Sequence, residues 1–213
     1  KSAAQFLGLD YNNSKIITAH IGNGVSVTAI ENGKSIDTSM GFTPIEGLMM
    51  GTRSGDVDLG VVTFLMEKEM IGAAGVSTLF NKHSGMLGIS GITSDMRDID
   101  IAIKGGNDRA RLAREMYVYR LRKYIGAFAA AMGGVDAIVF TGGIGENHVF
   151  TRRYICEGLG FMGVKIDYDV NAVSQGIAAK LSTEDSAVNV VVIPTDEEFM
   201  IASDTLEILQ NRN

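Results

Sequence analysis

Five short stretches of the sequence carry residue types that could do chemistry on a phosphate group. Three combine glycine with polar or charged residues: HIGNG (20–24), MGTRSGD (50–56) and GGIGEN (142–147). Two more, SDMRD (94–98) and PTDEE (194–198), are rich in charge. Glycine lets a backbone approach a ligand closely, arginine suits phosphate oxygens, and a carboxylate can hold a magnesium ion. Together these are the parts that phosphoryl transfer requires.

The GGIGEN stretch predicts a binding site for the phosphates or ribose of a nucleotide. It follows a short strand and reads as a glycine turn, with a helix beginning near His148. A helix N-terminus after such a turn presents free N–H groups to an anion. The stretch lacks the Gly-Lys-Ser/Thr of a P-loop, and its spacing fails the dinucleotide fingerprint at His148. A plain tight turn is the alternative interpretation.

The HIGNG stretch leads to a similar prediction. Gly22 and Gly24 would allow close approach of a phosphate, and Asn23 can donate a hydrogen bond to it. His20, at the end of the preceding strand, could contact a transferring phosphoryl group. Alternatively, His20 is an ordinary hydrogen-bonded histidine beside a strand.

Two charged positions also have two interpretations each. Arg53 stands among small residues that would not shield it, which favours a phosphate or carboxylate ligand. The alternative for Arg53 is a surface ion pair with Asp56 or Asp58. Glu197 could associate with a magnesium ion, or it could simply favour the positive end of a helix dipole.

An alternation of strands and helices positions these motifs. Residues 15–19, 25–31 and 34–38 read as three consecutive strands, and Asn32-Gly33 is a hairpin signal between the last two. Further strands are predicted at 136–141 and 188–193, and helices at 58–68, 76–82, 107–132, 148–158 and 195–207. This pattern indicates one α/β domain over residues 1–213, with its motifs at strand ends where open sheets bind ligands.

Three helical details are specific enough to be checked. The helix at 107–132 is expected to bury Leu112, Met116, Leu121, Tyr124, Ile125, Phe128 and Met132 on one face. Thr195 and Glu198 form a T-x-x-E capping box that would start the last helix. Asp95 and Arg97 could equally be the start of another helix.

Composition narrows the class of protein. With 46% hydrophobic and 21% charged residues, the chain is globular, and its net charge of −6 argues against nucleic-acid binding. A basic cluster on the helix at 107–132 is expected to be a solvated face: Arg109, Arg111, Arg114, Arg120, Arg122 and Lys123. The single Cys156 suits a reducing, cytoplasmic location, and no apolar run approaches membrane-spanning length.

Four long stretches closely resemble the carboxyl-terminal half of acetate kinases. They are IITAHIGNGVSVTAIENGKSIDTSMGFTPIEGLMMGTRSGDVD, SGMLGISGITSDMRDI, FTGGIGEN and IPTDEEFMIASDT, and the likeness runs from about Lys15 to Leu206. The resemblance implies the ribonuclease-H-like fold of the actin, Hsp70 and hexokinase superfamily. It also implies Mg²⁺-assisted, reversible transfer of the γ-phosphoryl of ATP to acetate, giving acetyl phosphate and ADP, by a homodimer.

The same resemblance implies roles for individual residues. Arg53 matches an arginine that stabilises the phosphoryl in flight, with His20 close to the phosphates, and Glu197 matches a glutamate associated with Mg²⁺. Positions matching the nucleotide site are His20, Ile21, Gly22, Asn23, Gly24, Asp95, Met96, Arg97, Gly143, Ile144, Gly145, Glu146 and Asn147.

The family's members are about twice as long as this chain. We therefore expect an isolated nucleotide-side half, with the amino-terminal half of the cleft absent and negligible turnover alone. One alternative is a propionate or butyrate kinase of the same family. Others are a nucleotide-binding module without phosphoryl transfer, or a unit that serves mainly for dimerisation.

Overall fold

The computed structural model describes residues 1–210, which form a six-stranded mixed sheet flanked by helices, with strand order β3-β2-β1-β4-β6-β5. The strands are β1 (Lys15–Ile21), β2 (Val25–Glu31), β3 (Lys34–Thr38), β4 (Ala137–Thr141), β5 (Ala179–Lys180) and β6 (Asn189–Val192). The helices are α1 (Ser2–Leu7), α2 (Leu59–Lys68), α3 (Ala73–Lys82), α4 (Gly85–Ser90), α5 (Met96–Lys104), α6 (Asp108–Ala131), α7 (Gly142–Asn147), α8 (Val149–Glu157), α9 (Tyr168–Val173) and α10 (Glu197–Gln210). The α/β class predicted from the sequence is confirmed.

The topology of the sheet brings the sequence motifs together. β1 pairs antiparallel with β2 and parallel with β4, and β4 pairs parallel with β6. The carboxyl ends of β1, β4 and β6 therefore lie at one edge of the sheet, which is where α/β sheets bind ligands. The predicted hairpin is confirmed, since Asn32 and Gly33 both have positive φ, as a two-residue turn of this kind requires.

The core lies mainly between the sheet and α6, and the predicted buried face of α6 is confirmed in its second half, where Leu121, Ile125, Phe128 and Met132 are buried. Leu112 is 51% exposed and Met116 is 37% exposed, so their predicted burial was wrong. Buried residues of α6 are Ala110, Ala113, Tyr117, Val118, Leu121, Ile125, Phe128 and Ala129. The reason is that the small side chains of Ala110 and Ala113 let the first half of α6 approach α4 and α5 closely, which turns the larger apolar residues outward.

The prediction of a solvated basic face on α6 holds for only half of the cluster: Arg109, Arg111 and Lys123 are exposed, whereas Arg114, Arg120 and Arg122 are half-buried. Arg109 donates to the carbonyl of Ile89 at 2.9 Å, and Arg114 lies 3.2 Å from Asp100. Arg120 and Arg122 likewise donate to backbone carbonyls of neighbouring segments. These four guanidinium groups reach across to adjacent elements and satisfy their polar atoms, so they help to tie the fold together.

Two local predictions near the motifs need correction. The GGIGEN stretch is the short helix α7 and not a turn, because the carboxylate of Glu146 accepts from Gly142 N at 2.9 Å and caps the first turn. The T-x-x-E capping box is absent, since the Thr195 hydroxyl donates to Glu146 at 2.9 Å. Asp196 takes its place and accepts from Phe199 N at 2.9 Å.

Within residues 1–210 no helix is both long enough and apolar enough to cross a membrane.

One buried hydroxyl in α6 gives a stability prediction. Tyr117 is 1% exposed, and its Oη has no hydrogen-bond partner within residues 1–210. Since that oxygen already carries its desolvation cost, we expect Tyr117→Phe to leave the free energy of unfolding unchanged or raise it by up to about 1 kcal/mol. Urea denaturation of the chain measures this. Tyr124→Phe is the control and should destabilise, because Tyr124 donates to Asp56 at 2.9 Å; a clear loss from Tyr117→Phe would contradict the prediction.

Candidate functional site

The turn between β1 and β2 lies against the start of α7. His20 pairs with Thr141 across the parallel strands β1 and β4, so both strands deliver the residues that follow them to the same edge. A Cβ added at Gly142 would lie 2.9 Å from the carbonyl oxygen of Ile21 and 3.1 Å from Cε1 of His20. Gly142 also has a φ of +79°, so only glycine fits here without strain. The GGIGEN stretch therefore packs directly on the HIGNG stretch.

The loop that carries Arg53 packs against the same turn. Gly51 N donates to the carbonyl of Asn23 at 3.0 Å, and a Cβ on Gly51 would lie 2.2 Å from Asn23 Oδ1. The carbonyls of residues 50, 51 and 52 accept from the amides of residues 86, 87 and 84. The amides of residues 86 and 87 are among the N–H groups that the first turn of a helix, here α4, leaves without an internal partner. The loop is thus held through its backbone, which leaves the Arg53 side chain available for a ligand.

The guanidinium of Arg53 has no carboxylate partner within residues 1–210. It is half-buried, and its Nη1 lies 3.7 Å from Sδ of Met50. A Cβ added at Gly24 would lie 3.3 Å from the same Nη1, which places the guanidinium beside the HIGNG stretch. A half-buried cation without a counter-ion, next to glycine-rich backbone, is suited to bind an anion.

The ion-pair interpretation of Arg53 is excluded, because Asp56 and Asp58 bond to other groups. Asp56 forms a salt bridge with Arg120 and accepts from Gly47 N at 2.7 Å. Asp58 caps α2 and accepts from Gly60 N at 2.6 Å. Both carboxylates therefore stabilise other parts of the fold.

The SDMRD stretch forms the start of α5, as the structural interpretation of Asp95 and Arg97 predicted. Asp95 caps the helix by accepting from Arg97 N at 2.8 Å, and the Arg97 guanidinium donates to both of its carboxylate oxygens. These bonds from Arg97 hold the pKa of Asp95 at about 2. Met96 is buried beneath them. The helix start and a ligand-binding role are compatible, because the same residues line a pocket.

That pocket, of about 490 Å³, lies between the starts of α5 and α7. It is lined by Asn23, Ser94, Asp95, Met96, Arg97, Gly143, Ile144, Asn147 and His148. Seven of these nine are positions that the sequence resemblance assigns to the nucleotide. Its size falls in the range of small-molecule sites.

A second pocket, of about 270 Å³, adjoins the first through Asn23, which lines both. It is lined by Asn23, Thr52, Arg53, Ser77, Thr78, Asn81 and Lys82. All seven side chains are polar, two are cations and none is acidic, so this pocket is suited to an anion. A ligand in the larger pocket would reach the neighbourhood of Arg53 by passing Asn23.

Several predicted site residues lie outside both pocket linings. Ile21 and Gly145 are buried, and Gly22 and Gly24 form the backbone of the β1–β2 turn. His20 is half-buried and makes no side-chain hydrogen bond to another described residue.

Glu146 faces the last helix and not the larger pocket. Its Oε1 accepts from Gly142 N, from Thr195 N at 3.0 Å and from the Thr195 hydroxyl at 2.9 Å. This contact brings the start of α10, and with it Glu197, beside α7. Within residues 1–210 no group of three or more His, Cys, Asp or Glu side chains is placed to hold a metal ion.

Sequence reasoning missed several lining residues for different reasons. Ser94 lies within the SDMRD stretch but was not assigned to the site, and His148 directly follows GGIGEN, so extending that motif by one residue would have found it. His148 lies 3.1 Å from Asp100 and 2.8 Å from the Thr151 hydroxyl, and its burial lowers the pKa of the imidazole. The α3 residues of the second pocket give no signal in the sequence, because only the packing of α3 brings them to Arg53.

Comparisons with known proteins identify the family of this chain. The sequence profile of the Acetokinase family matches residues 1–203. Acetate kinase from Porphyromonas gingivalis (strain ATCC BAA-308 / W83) is 61% identical over 208 residues, which are 98% of this chain and 52% of that protein. A crystal structure of Porphyromonas gingivalis acetate kinase superposes with a TM-score of 0.95 at 60% identity, covering 98% of this chain and 52% of that one.

A more distant relative acts on a different substrate. The crystal structure of a propionate kinase from Francisella tularensis subsp. tularensis SCHU S4 superposes with a TM-score of 0.86 at 39% identity, covering 94% of this chain and 50% of that one. The chain thus spans about half the length of the relatives it matches. Because the family profile covers nearly the whole sequence, this chain belongs to the acetokinase family.

Proposed function

We propose that the chain is the nucleotide-binding, carboxyl-terminal half of an enzyme that transfers the γ-phosphoryl of ATP reversibly to acetate. In this reaction the bond between the γ-phosphorus and the bridging oxygen of ADP breaks, and a bond from that phosphorus to an acetate oxygen forms. The observation that carries the proposal is the pair of adjoining pockets that share Asn23. One has the size for a nucleoside, and the other holds Arg53 without any carboxylate.

In this proposal the residues of the chain bind and orient the nucleotide. Asp95, Met96 and Arg97 border the adenosine together with Gly143, Ile144 and Asn147. The backbone of the β1–β2 turn lines the path of the phosphates, since its glycines permit close approach. His20 stands beside that path, at the end of β1. Positioning of this kind supplies much of the catalysis in phosphoryl transfer.

Arg53 is proposed to stabilise the phosphoryl group in flight. Charge on the transferring group spreads over its three equatorial oxygens, and a fixed guanidinium near them lowers the barrier. The support for this role is the backbone-held loop, which fixes the position of Arg53, and the absence of a competing carboxylate among the pocket-lining residues.

In this proposal Glu197 would hold a magnesium ion. Mg²⁺ keeps several water ligands and is usually bound by one or two carboxylates plus the phosphates of the substrate. A single glutamate at the start of α10, held beside α7 by the Glu146–Thr195 contact, suits that pattern. When bound, the ion would neutralise phosphate charge.

Acetate is proposed as the acceptor in preference to propionate, because identity to the acetate kinase is 61% against 39% for the propionate kinase. The proposed location is the cytoplasm, in keeping with the buried, unpaired Cys156. The proposed assembly is a homodimer. Leu112, Met116 and Tyr119 form an exposed apolar stripe on α6 that would suit a subunit interface.

Calorimetric titration of the 213-residue chain with Mg·ADP tests the nucleotide half of this proposal. We expect saturable binding at one site, together with negligible acetyl phosphate formation from ATP and acetate, because the chain holds only about half of the cleft. Circular dichroism on the same sample shows that the chain is folded. A folded chain that does not bind Mg·ADP would contradict the proposal that this half forms the nucleotide site, and turnover at the rate of a complete enzyme would contradict the proposed division of the cleft.

A further inference from the structure

Arg152 of α8 is a fully buried cation, with 0% of its surface exposed. Its guanidinium makes five hydrogen bonds, which is the number of N–H groups it carries. The acceptors are Asn171 Oδ1 (2.9 Å), the carbonyl of Gly145 (2.8 Å), that of Glu146 (2.8 Å), that of Asn171 (3.1 Å) and that of Ser174 (2.6 Å).

No carboxylate within residues 1–210 forms a salt bridge with this guanidinium. Its burial without a counter-ion lowers the pKa of Arg152 to about 10. Taking an unpaired cation out of water costs several kcal/mol in general, so the five oxygen acceptors are what make this position tenable. A buried methionine would fill a similar space with a smaller desolvation penalty. The arginine is therefore better explained by the groups that its five hydrogen bonds hold in place.

Two of the five bonds hold the end of α7. A helix of six residues is too short to be stable by itself, and the last carbonyls of any helix have no partner inside it. Arg152 satisfies the carbonyls of Gly145 and Glu146 at this end, while the Glu146 carboxylate caps Gly142 N at the other. The other three bonds run from Arg152 to Asn171 in α9 and to the carbonyl of Ser174, which follows α9. Arg152 thereby links α7 to α9.

The other face of α7 lines the larger pocket. Gly143, Ile144 and Asn147 border that pocket, whereas Arg152 does not. The side chain that fixes the end of α7 therefore lies behind the ligand-facing residues. A shift of α7 by a fraction of an ångström would move all three of them together.

We propose that Arg152 is a positioning residue for the nucleotide pocket: its five-bonded guanidinium fixes α7 so that Gly143, Ile144 and Asn147 meet the nucleotide. The inference rests on the proposed nucleotide site and adds a residue that does not touch the ligand. Lysine keeps the charge at this position but offers three donors from a single nitrogen and cannot span acceptors on both α7 and α9.

The test compares Arg152→Lys with Arg122→Lys in the 213-residue chain. Arg122 is a matched control, because it also donates to backbone carbonyls of α8, those of Tyr154 and Ile155, but lies away from the larger pocket. We expect Arg152→Lys to weaken Mg·ADP binding about tenfold, since small misplacements of binding groups have effects of that order or larger. Arg122→Lys should change the affinity less than about twofold.

Amide hydrogen exchange provides a readout that a general loss of stability would not reproduce. Arg152→Lys should accelerate exchange at residues 145–148 more than in the strands β1 and β4, and Arg122→Lys should not. Should Arg152→Lys fail to fold, Asn171→Ala removes one acceptor side chain and should shift both readouts in the same direction.

The outcomes separate the two proposals. If the wild-type chain binds Mg·ADP and Arg152→Lys binds it equally well, the positioning role is overturned while the nucleotide site stands. Equal weakening by Arg152→Lys and Arg122→Lys would also overturn it, because the effect would then be general. If the folded wild-type chain does not bind Mg·ADP, the nucleotide site itself is overturned and the role of Arg152 falls with it.

Discussion

Arg53→Ala is expected to lower the turnover number by about a thousandfold or more while nucleotide affinity stays within a few-fold of the starting protein. An arginine that stabilises a transferring phosphoryl group contributes on the order of 10³–10⁵ in rate. The fold should survive the change, because the loop is held by backbone hydrogen bonds and the guanidinium makes no salt bridge within residues 1–210.

Turnover has to be measured in a protein with a complete cleft. A suitable protein is Porphyromonas gingivalis acetate kinase in which the 208 matching residues are replaced by this chain, since the two are 61% identical. Acetyl phosphate formation gives the rate, and calorimetry with Mg·ADP gives the affinity. Arg111→Ala, on the exposed face of α6, is the control and should change neither. Unchanged turnover in Arg53→Ala would contradict the role, and equal losses of rate and affinity would assign Arg53 to binding alone.

Gly143→Val should weaken Mg·ADP binding by the 213-residue chain by about tenfold to a hundredfold. A Cβ added at Gly143 meets no protein atom within 4 Å, so the new side chain would project into the larger pocket instead of disturbing the fold. Overfilling a well-shaped site typically costs 1–3 kcal/mol, which corresponds to roughly a tenfold to hundredfold loss of affinity.

Gly160→Val is the matched control for this change. A Cβ at Gly160 also meets nothing within 4 Å, but the residue begins a 3₁₀ turn after α8 and lines neither pocket. Both variants should unfold at similar urea concentrations, and only Gly143→Val should bind Mg·ADP more weakly. Wild-type affinity in Gly143→Val would show that the nucleotide does not lie against α7.

The two adjacent glycines of α7 show that a sequence motif does not reveal why glycine is needed at each position. Gly142 is required by the protein itself, since its φ is +79° and the backbone of Ile21 leaves no room for a Cβ. Gly143 has no such constraint and faces open space in the pocket. In the sequence the two are indistinguishable, because both constraints come from atoms that the fold brings in from elsewhere.

The sequence by itself determined the elements whose signals are local. The hairpin at Asn32-Gly33 requires positive φ at both residues, and the apolar runs of β1, β4 and β6 predict buried strands. The long motifs also identified the family, which the profile match over residues 1–203 confirms. These features depend on backbone preference and residue pattern within a few positions, so no packing information is needed to find them.

Only the tertiary structure decided the features that depend on partners distant in sequence. The capping box failed because Glu146, 49 positions away, accepts the Thr195 hydroxyl. The bonds of Arg109 and Arg114 of α6 could not be predicted, because their acceptors, Ile89 and Asp100, lie on other elements. Arg152 looks in the sequence like any helical arginine. Its burial and its five hydrogen bonds also could not be predicted, because the acceptors lie on other segments. A hydrogen bond between remote segments leaves no periodicity in the chain, so these roles became visible only once the sheet had placed the segments together.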